Sequence, residues 1–337
     1  MKKFSVKKEQ IREIFRSFDH LNILVVGDVM VDSYVWGRVN RLSPEAPVPV
    51  VSVEKKERRL GGAANVALNL QALGVHPILC SVIGVDYEGQ EFLELLRKQK
   101  LSQKGILKSR DRITTVKTRI IGNQHQLIRV DEEMEQDINT SETSQLLTII
   151  QYILKHEKIH AVIFEDYNKG LITPKLIQRV VELCKSYSIP VCVDPKKKNF
   201  NAYKGVQLFK PNLKELRDGL KLDGELSIKD LQRAVSSYRV RQKMECVLVT
   251  LAEKGIIVNS RKTKEHIPAH IRNVADVSGA GDTVISVAAA CRALECNDVL
   301  IAALSNLAGG MVCEQVGVAP VNKERLLKEA LELDFVK

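Results

Sequence analysis

Short apolar runs, each closed by a polar cluster, recur along the chain. Residues 23–26 (Ile-Leu-Val-Val) form a continuous run of the kind buried on both faces of a parallel sheet. The runs at 78–84, 161–164, 190–193, 205–209 and 246–249 read the same way, and 256–258 returns beside the last. Between them lie helical spacings: Ile11, Ile14, Phe15 and Phe18 within 7–18, Val66, Leu70 and Leu73 ahead of the stop at Gly74, then 91–98, and 323–333 at the end. Alternating strands and helices predict an α/β fold, a doubly wound, mostly parallel sheet flanked by helices. With no internal repeat or low-complexity linker, residues 1–337 are expected to form one main domain.

Two stretches depart from that rhythm. Residues 34–53 carry β-branched positions around Ser43-Pro44-Glu45-Ala46-Pro47-Val48-Pro49, and the prolines exclude a central strand. Residues 114–121 alternate, turn at Gly122-Asn123-Gln124-His125 and return through 126–130 as a hairpin. Together 34–54 and 108–129 predict a small β lid inserted in the main domain, with the charge run 55–59 as a solvated connector. Lys117 and Arg119 share a strand face and either meet an anionic group or are merely solvated. A lid with exposed edges is expected to be covered by a second copy, giving a homodimer.

Polar residues gather after the carboxyl ends of successive strands, where open α/β sheets bind ligands. They include Asp28, Glu165-Asp166-Tyr167, Asp194-Pro195-Lys196, Lys210-Pro211-Asn212 and Thr250. Asp28 and Asp32 suit hydrogen bonds to sugar hydroxyls if the chain stays extended; the alternative is a turn acid and a capping acid. Gly61-Gly62 opens the next helix and permits close approach by a ligand or a hinge for the preceding ribbon, with Asn65 in the first turn. The densest signal is Gly279-Ala280-Gly281-Asp282, directly before the apolar helix 284–290. Its free N–H groups favour an anion. A carboxylate there makes sense as a base that takes a proton from an attacking hydroxyl while the amides hold the charge of a transferred phosphoryl group. The alternative is a glycine turn with a first-turn acid.

Composition narrows the classes. A net charge of +10, spread along the chain, fits ligands such as ATP and a sugar phosphate, but also nucleic acid. Aromatics make up 5% and are not interleaved with a basic run, which argues against a nucleic-acid partner. The seven cysteines form no C-x-x-C pair and read as buried thiols of a reducing compartment. Met1-Lys2-Lys3 leads into a charged stretch rather than a secretory signal, and no run is long enough to span a membrane. A cytoplasmic protein is expected. A dinucleotide-dependent oxidoreductase is disfavoured because the first strand–helix junction lacks G-x-G-x-x-G.

With Gly61-Gly62, Asn212-Leu213-Lys214-Glu215 and Gly279-Ala280-Gly281-Asp282 in this order, nearly the whole chain resembles the ribokinase-like (PfkB-type) carbohydrate kinases. The stretches Gly27-Asp28-Val29-Met30-Val31-Asp32, Arg41-Leu42-Ser43-Pro44-Glu45-Ala46-Pro47-Val48-Pro49-Val50 and Gln126-Leu127-Ile128-Arg129 resemble the D-glycero-D-manno-heptose 7-phosphate kinases, found alone or as half of a bifunctional ADP-heptose synthase. That resemblance implies phosphorylation of the anomeric hydroxyl to the 1,7-bisphosphate, feeding lipopolysaccharide core synthesis, with ATP and Mg2+. It implies Asp282 as base and Gly279, Ala280 and Gly281 as the anion hole. Asp28, Asp32, Gly61, Gly62 and Asn65 would grip the sugar, and Lys210 and Asn212 would face the ATP phosphates. Glu215 would hold Mg2+, Thr250 and Gly255 would line the nucleotide, and Asn306 would border the adenine. No motif fixes the residues for the 7-phosphate; Lys117 and Arg119 are the candidates, with Arg41 as the alternative. The partner nucleotidyltransferase's H-x-G-H signature is absent, so the kinase alone is expected. The alternatives are a kinase of another sugar and a non-catalytic sugar or nucleotide sensor.

Overall fold

The computed structural model describes residues 5–123 and 125–337. Gln124, in the expected hairpin turn, and the leading Met1-Lys2-Lys3 lie outside them. The first strand, β1 (Asn22–Gly27), shows why the sheet is buried on both faces. Ile23 and Val25 pack into one apolar cluster, Leu24 and Val26 into the other, as period-two alternation requires. Beside it lie β4 (His76–Gly84) and β5 (Gly105–Ser109) on one flank and β8 (Ala161–Glu165), β9 (Val191–Asp194), β10 (Leu208–Phe209) and β11 (Cys246–Thr250) on the other, all parallel. Two antiparallel strands, β12 (Ile256–Ser260) and β13 (Lys264–Ile267), finish that edge. The run at 205–209 yields only the two residues of β10.

Helices cover both faces. One layer holds α1 (Lys8–Ser17), α2 (Ala63–Ala72), α3 (Tyr87–Lys98), α8 (Ala280–Ala293), α9 (Asp298–Val312) and α10 (Lys323–Ala330). The other holds α4 (Thr140–His156), α5 (Pro174–Ser186), α6 (Leu213–Leu220) and α7 (Ile228–Arg241). The leading helix α1 buries Ile11 and Phe15 and packs against α10, while Val6 bridges Val336.

A second sheet of order β3-β2-β6-β7 is built from β2 (Val29–Leu42), β3 (Pro49–Gly62), β6 (Val116–Gly122) and β7 (His125–Glu132). Its limits correct the expected ones. Lys108 belongs to β5, at the edge of the main sheet, so the second lid segment begins at Val116. The charge run 55–59 is not a connector but the middle of β3. As the outer strand of the small sheet, β3 exposes Lys55 and Lys56 to water, while Glu57, Arg58 and Arg59 are half-buried in ion pairs, and charge is tolerated on such an edge. All seven cysteines are free thiols, five of them buried. Among the described residues no helix is long and apolar enough to cross a membrane.

Candidate active site

The sheet supplies the floor of the site. Glu165 and Asp194 end β8 and β9 as register partners, and Lys210 follows β10. Lys210 Nζ lies 2.8 Å from Asp194 Oδ2, and both residues are buried. Above them, Gly279 caps α8 in the left-handed region at φ +79°, which favours glycine. The first intrahelical bond of α8 runs from Thr283 N–H to the Gly279 carbonyl, and the Ala280 N–H is taken by the Val277 carbonyl at 3.3 Å, so Ala280 leaves the expected anion hole and the N–H groups of Gly281 and Asp282 stand ahead of the helix bonds. A Cβ on Gly281 would lie 3.5 Å from Lys210 Nζ and 3.6 Å from Asp194 Oδ2, so this backbone faces the charged pair.

Asp282 sits in that first turn, 5% exposed. It accepts hydrogen bonds from Asn65 Nδ2 at 2.6 Å and from the Tyr167 hydroxyl at 2.8 Å. A buried polar seam sets α2 against α8. Thr283 donates to Asn69 Oδ1 (2.8 Å), Asn69 Nδ2 to the Asn65 carbonyl (3.0 Å), and Ser286 Oγ to the Val66 carbonyl (3.3 Å). Burial pushes the Asp282 carboxyl up to about 6, against the hydrogen bonds of Asn65 and Tyr167.

The two expected sugar-binding acids separate in role. Asp32, on β2, accepts from Arg119 Nη1 at 2.5 Å and lies against Gly61, whose Cβ would stand 2.2 Å from Asp32 Oδ2. Gly62 has φ +59°, and a Cβ there would meet the Asp28 carbonyl at 2.4 Å. Asp28 itself does not grip an open space. Its carboxylate takes the backbone N–H groups of Tyr167 (2.9 Å), Lys169 (3.1 Å) and Leu171 (3.1 Å), fixing the loop after β8. Burial, then the Asp166 charge, raise it to about 6 against these amides. Lys117 and Arg119 are not open cations either. Arg119 is held by Asp32, and Lys117 lies 3.7 Å from Glu133 and 4.0 Å from Asp131. Arg41 is exposed, nine residues along β2 from Asp32, at most roughly 30 Å away at strand spacing.

On the expected nucleotide side, Asn212 caps α6 and accepts from the Glu215 N–H at 2.8 Å, while Thr250 N–H reaches the Pro211 carbonyl at 3.1 Å. Gly255 (φ +90°) and Asn306 meet one segment. A Cβ on Gly255 would stand 2.1 Å from the Ile267 carbonyl, and Asn306 Nδ2 donates to the Pro268 carbonyl at 2.8 Å.

A model of the pfkB family carbohydrate kinases matches residues 20–325. The chain belongs to this family. The kinase is 41% identical over 268 residues to the bifunctional protein HldE of Helicobacter acinonychis (strain Sheeba), covering 78% of this chain and 56% of that protein. It is 38% identical over 315 residues to the bifunctional protein HldE of Magnetococcus marinus, covering 92% and 64%. The chain thus spans less than two thirds of the length of either relative. Its fold matches the tetrameric inhibited form of phosphofructokinase-2 from Escherichia coli with a TM-score of 0.76 at 15% identity, over 92% of this chain and 99% of that one. It also matches Arabidopsis thaliana ribokinase complexed with ribose and ATP, with a TM-score of 0.70 at 17% identity, over 91% and 99%.

In this kinase Glu215 is not the acid with free oxygens. One accepts from the Asn212 N–H at 2.8 Å, the other from Lys196 Nζ. Glu165, fully buried, has neither oxygen hydrogen-bonded. Burial, then the Asp194 and Asp282 charges, hold its carboxyl well above the usual range. Glu165, Asp194 and Asp282 each bring an oxygen within 4.8 Å of the others, a hard donor set that fits Mg2+. Motif spacing did not select Glu165, Asp194, Lys196 or Tyr167. Their one sequence signal was position, at or just beyond the ends of adjacent strands.

Proposed function

We propose that the chain transfers a phosphoryl group from ATP to the anomeric hydroxyl of D-glycero-D-manno-heptose 7-phosphate, giving the 1,7-bisphosphate for ADP-heptose and lipopolysaccharide core synthesis. The observation that carries the reading is Asp282, held by Asn65 and Tyr167 in the first turn of α8, with free amides beside it and Lys210 opposite. Asp282 takes the hydroxyl proton as the sugar oxygen bonds to the γ-phosphorus and the bond to the ADP oxygen breaks. The amides of Gly281 and Asp282, with Lys210, balance the charge on the moving group. Asp32, aligned by Arg119, accepts from a sugar hydroxyl, and Gly61 leaves room for it. Glu165 and Asp194 would hold Mg2+, which would supply screening of the phosphate charge. Asn212, Thr250, Gly255 and Asn306 border the nucleotide. Lys117 receives the 7-phosphate by exchanging Asp131 and Glu133 for it, and Arg119 turns its remaining N–H donors to it while holding Asp32. Leu42, Val48, Val53, Leu127, Ile128 and Val130 are exposed on the small sheet and its hairpin, and supply an apolar surface for a homodimer.

The HldE relatives and the heptose-kinase-like stretches favour this sugar over others. ADP release with D-glycero-D-manno-heptose 7-phosphate, fructose 6-phosphate and ribose tests it, with the new phosphate located by 31P NMR. Turnover is expected at least about a hundredfold higher for the heptose phosphate. Preference for another sugar refutes the substrate assignment, and binding without ADP release refutes catalysis.

A further inference from the structure

We infer that Tyr167 is a positioning residue for Asp282: its hydroxyl fixes one carboxylate oxygen so that the remaining lone pairs face the cleft. This rests on Asp282 being the base. Tyr167 lies on the loop after β8, and that loop is pinned at many points. Asp28 takes three of its amides, as described. Asp166 accepts from the Asn168 N–H (2.9 Å), Asn199 Nδ2 (3.1 Å) and the Tyr203 hydroxyl (2.9 Å). Asn168 is left-handed at φ +56°, and Gly170, at φ +86°, packs where a Cβ would stand 1.8 Å from the Gln136 carbonyl. Such a loop cannot drift, so it delivers the phenol at a fixed place, 2.8 Å from Asp282 Oδ1.

The ring also has a fixed neighbour, Lys196 Nζ at 5.3 Å from its centroid, whose ammonium is bonded to Glu215. A carboxylate has about four acceptor sites. Asn65 and Tyr167 fill one on each oxygen, which leaves a site on each for an incoming hydroxyl. Asp28 thereby gains a place in the reaction at one remove, as the anchor of the loop that aims Tyr167.

The test is a kinetic double-mutant cycle on the full chain, reading ADP release with ATP and D-glycero-D-manno-heptose 7-phosphate. Tyr167→Phe keeps the ring and its contact with Lys196 but deletes the donor. It is expected to lower kcat about tenfold or more while moving either KM by less than about threefold. On an Asp282→Asn background the same change is expected to alter the residual rate by less than about twofold, because no base remains to be aimed. Tyr167→Leu, which also removes the ring, is expected to lose more activity and some thermal stability. An equal loss from Tyr167→Phe on both backgrounds overturns the inference, as does an unchanged kcat when Asp282→Asn is nearly inactive. If Asp282→Asn keeps its turnover, the base assignment falls, and this inference with it.

Discussion

Neutralising Asp282, by acid or by mutation to Asn, should separate activity from stability. Its carboxyl is raised from 3.8 to about 6, chiefly by burial. A group with a midpoint near 6 is roughly nine-tenths ionised at pH 7 and roughly one-tenth at pH 5, so kcat should fall about tenfold between them. Asp282→Asn should lower kcat at least about a hundredfold at pH 7 and leave ATP binding largely intact. Stability moves the other way. The folded carboxyl holds its proton more tightly than the unfolded one, so that contribution is complete below about 3.8 and lost as pH rises through about 6. A shift of roughly two pH units is worth at most about 3 kcal/mol at neutral pH. Asparagine escapes that cost but matches its two donors less well: Tyr167 can turn to accept from the new amide, with a loss of about 1 kcal/mol. The net expectation is a gain of about 1–2 kcal/mol at pH 7.5, absent at pH 4. Coupled ADP release at saturating substrates gives the activity arm. Melts of both proteins from pH 4 to 8 give the stability arm, and their difference reads Asp282 together with the relief of Glu165 from its charge. A kcat level from pH 7 to 5, an Asn variant above a tenth of native turnover, or one no more stable at pH 7.5 would each refute the reasoning.

Lys117→Ala should raise KM for the sugar phosphate about tenfold and for ATP by less than about twofold; equal effects make Lys117 a purely structural partner of Asp131 and Glu133. Gly61→Ala should push Asp32 off its bond with Arg119, because the added Cβ would lie 2.2 Å from Asp32 Oδ2. Calorimetry should show a loss of about 1–3 kcal/mol, with a rise in sugar KM exceeding that for ATP. Millimolar Mg2+ should raise the native Tm and chelation should reverse it, while Glu165→Gln should lose most of that response; an equal response in both proteins removes Glu165 as a metal acid.

The chain's periodicities were enough to place most of the architecture. The continuous run at 23–26 can only be buried on both sides, and five further runs of that kind require a doubly wound sheet with helices on each face. The glycine pair at 61–62 and the loop at 279–282 were legible because each needs a backbone that other residues rarely adopt, a local property written in residue type. The charge run at 55–59 was misread because pairing with β2, not composition, makes it a strand, and which strand lies outermost is decided by pairing across the sheet. Asp28 and Asp32 looked equivalent four residues apart. Only the approach of the loop after β8 made Asp28 an anchor for amides, and only the pairing of β6 beside β2 made Asp32 the partner of Arg119. Likewise Glu215 carried the motif, yet Glu165 carries the unsatisfied oxygens. The sequence by itself determined which residues turn, cap and pack, since those depend on neighbours along the chain. Tertiary structure alone decided which charges meet, because a carboxylate's partners and acidity come from groups hundreds of residues away that folding brings within 3 Å.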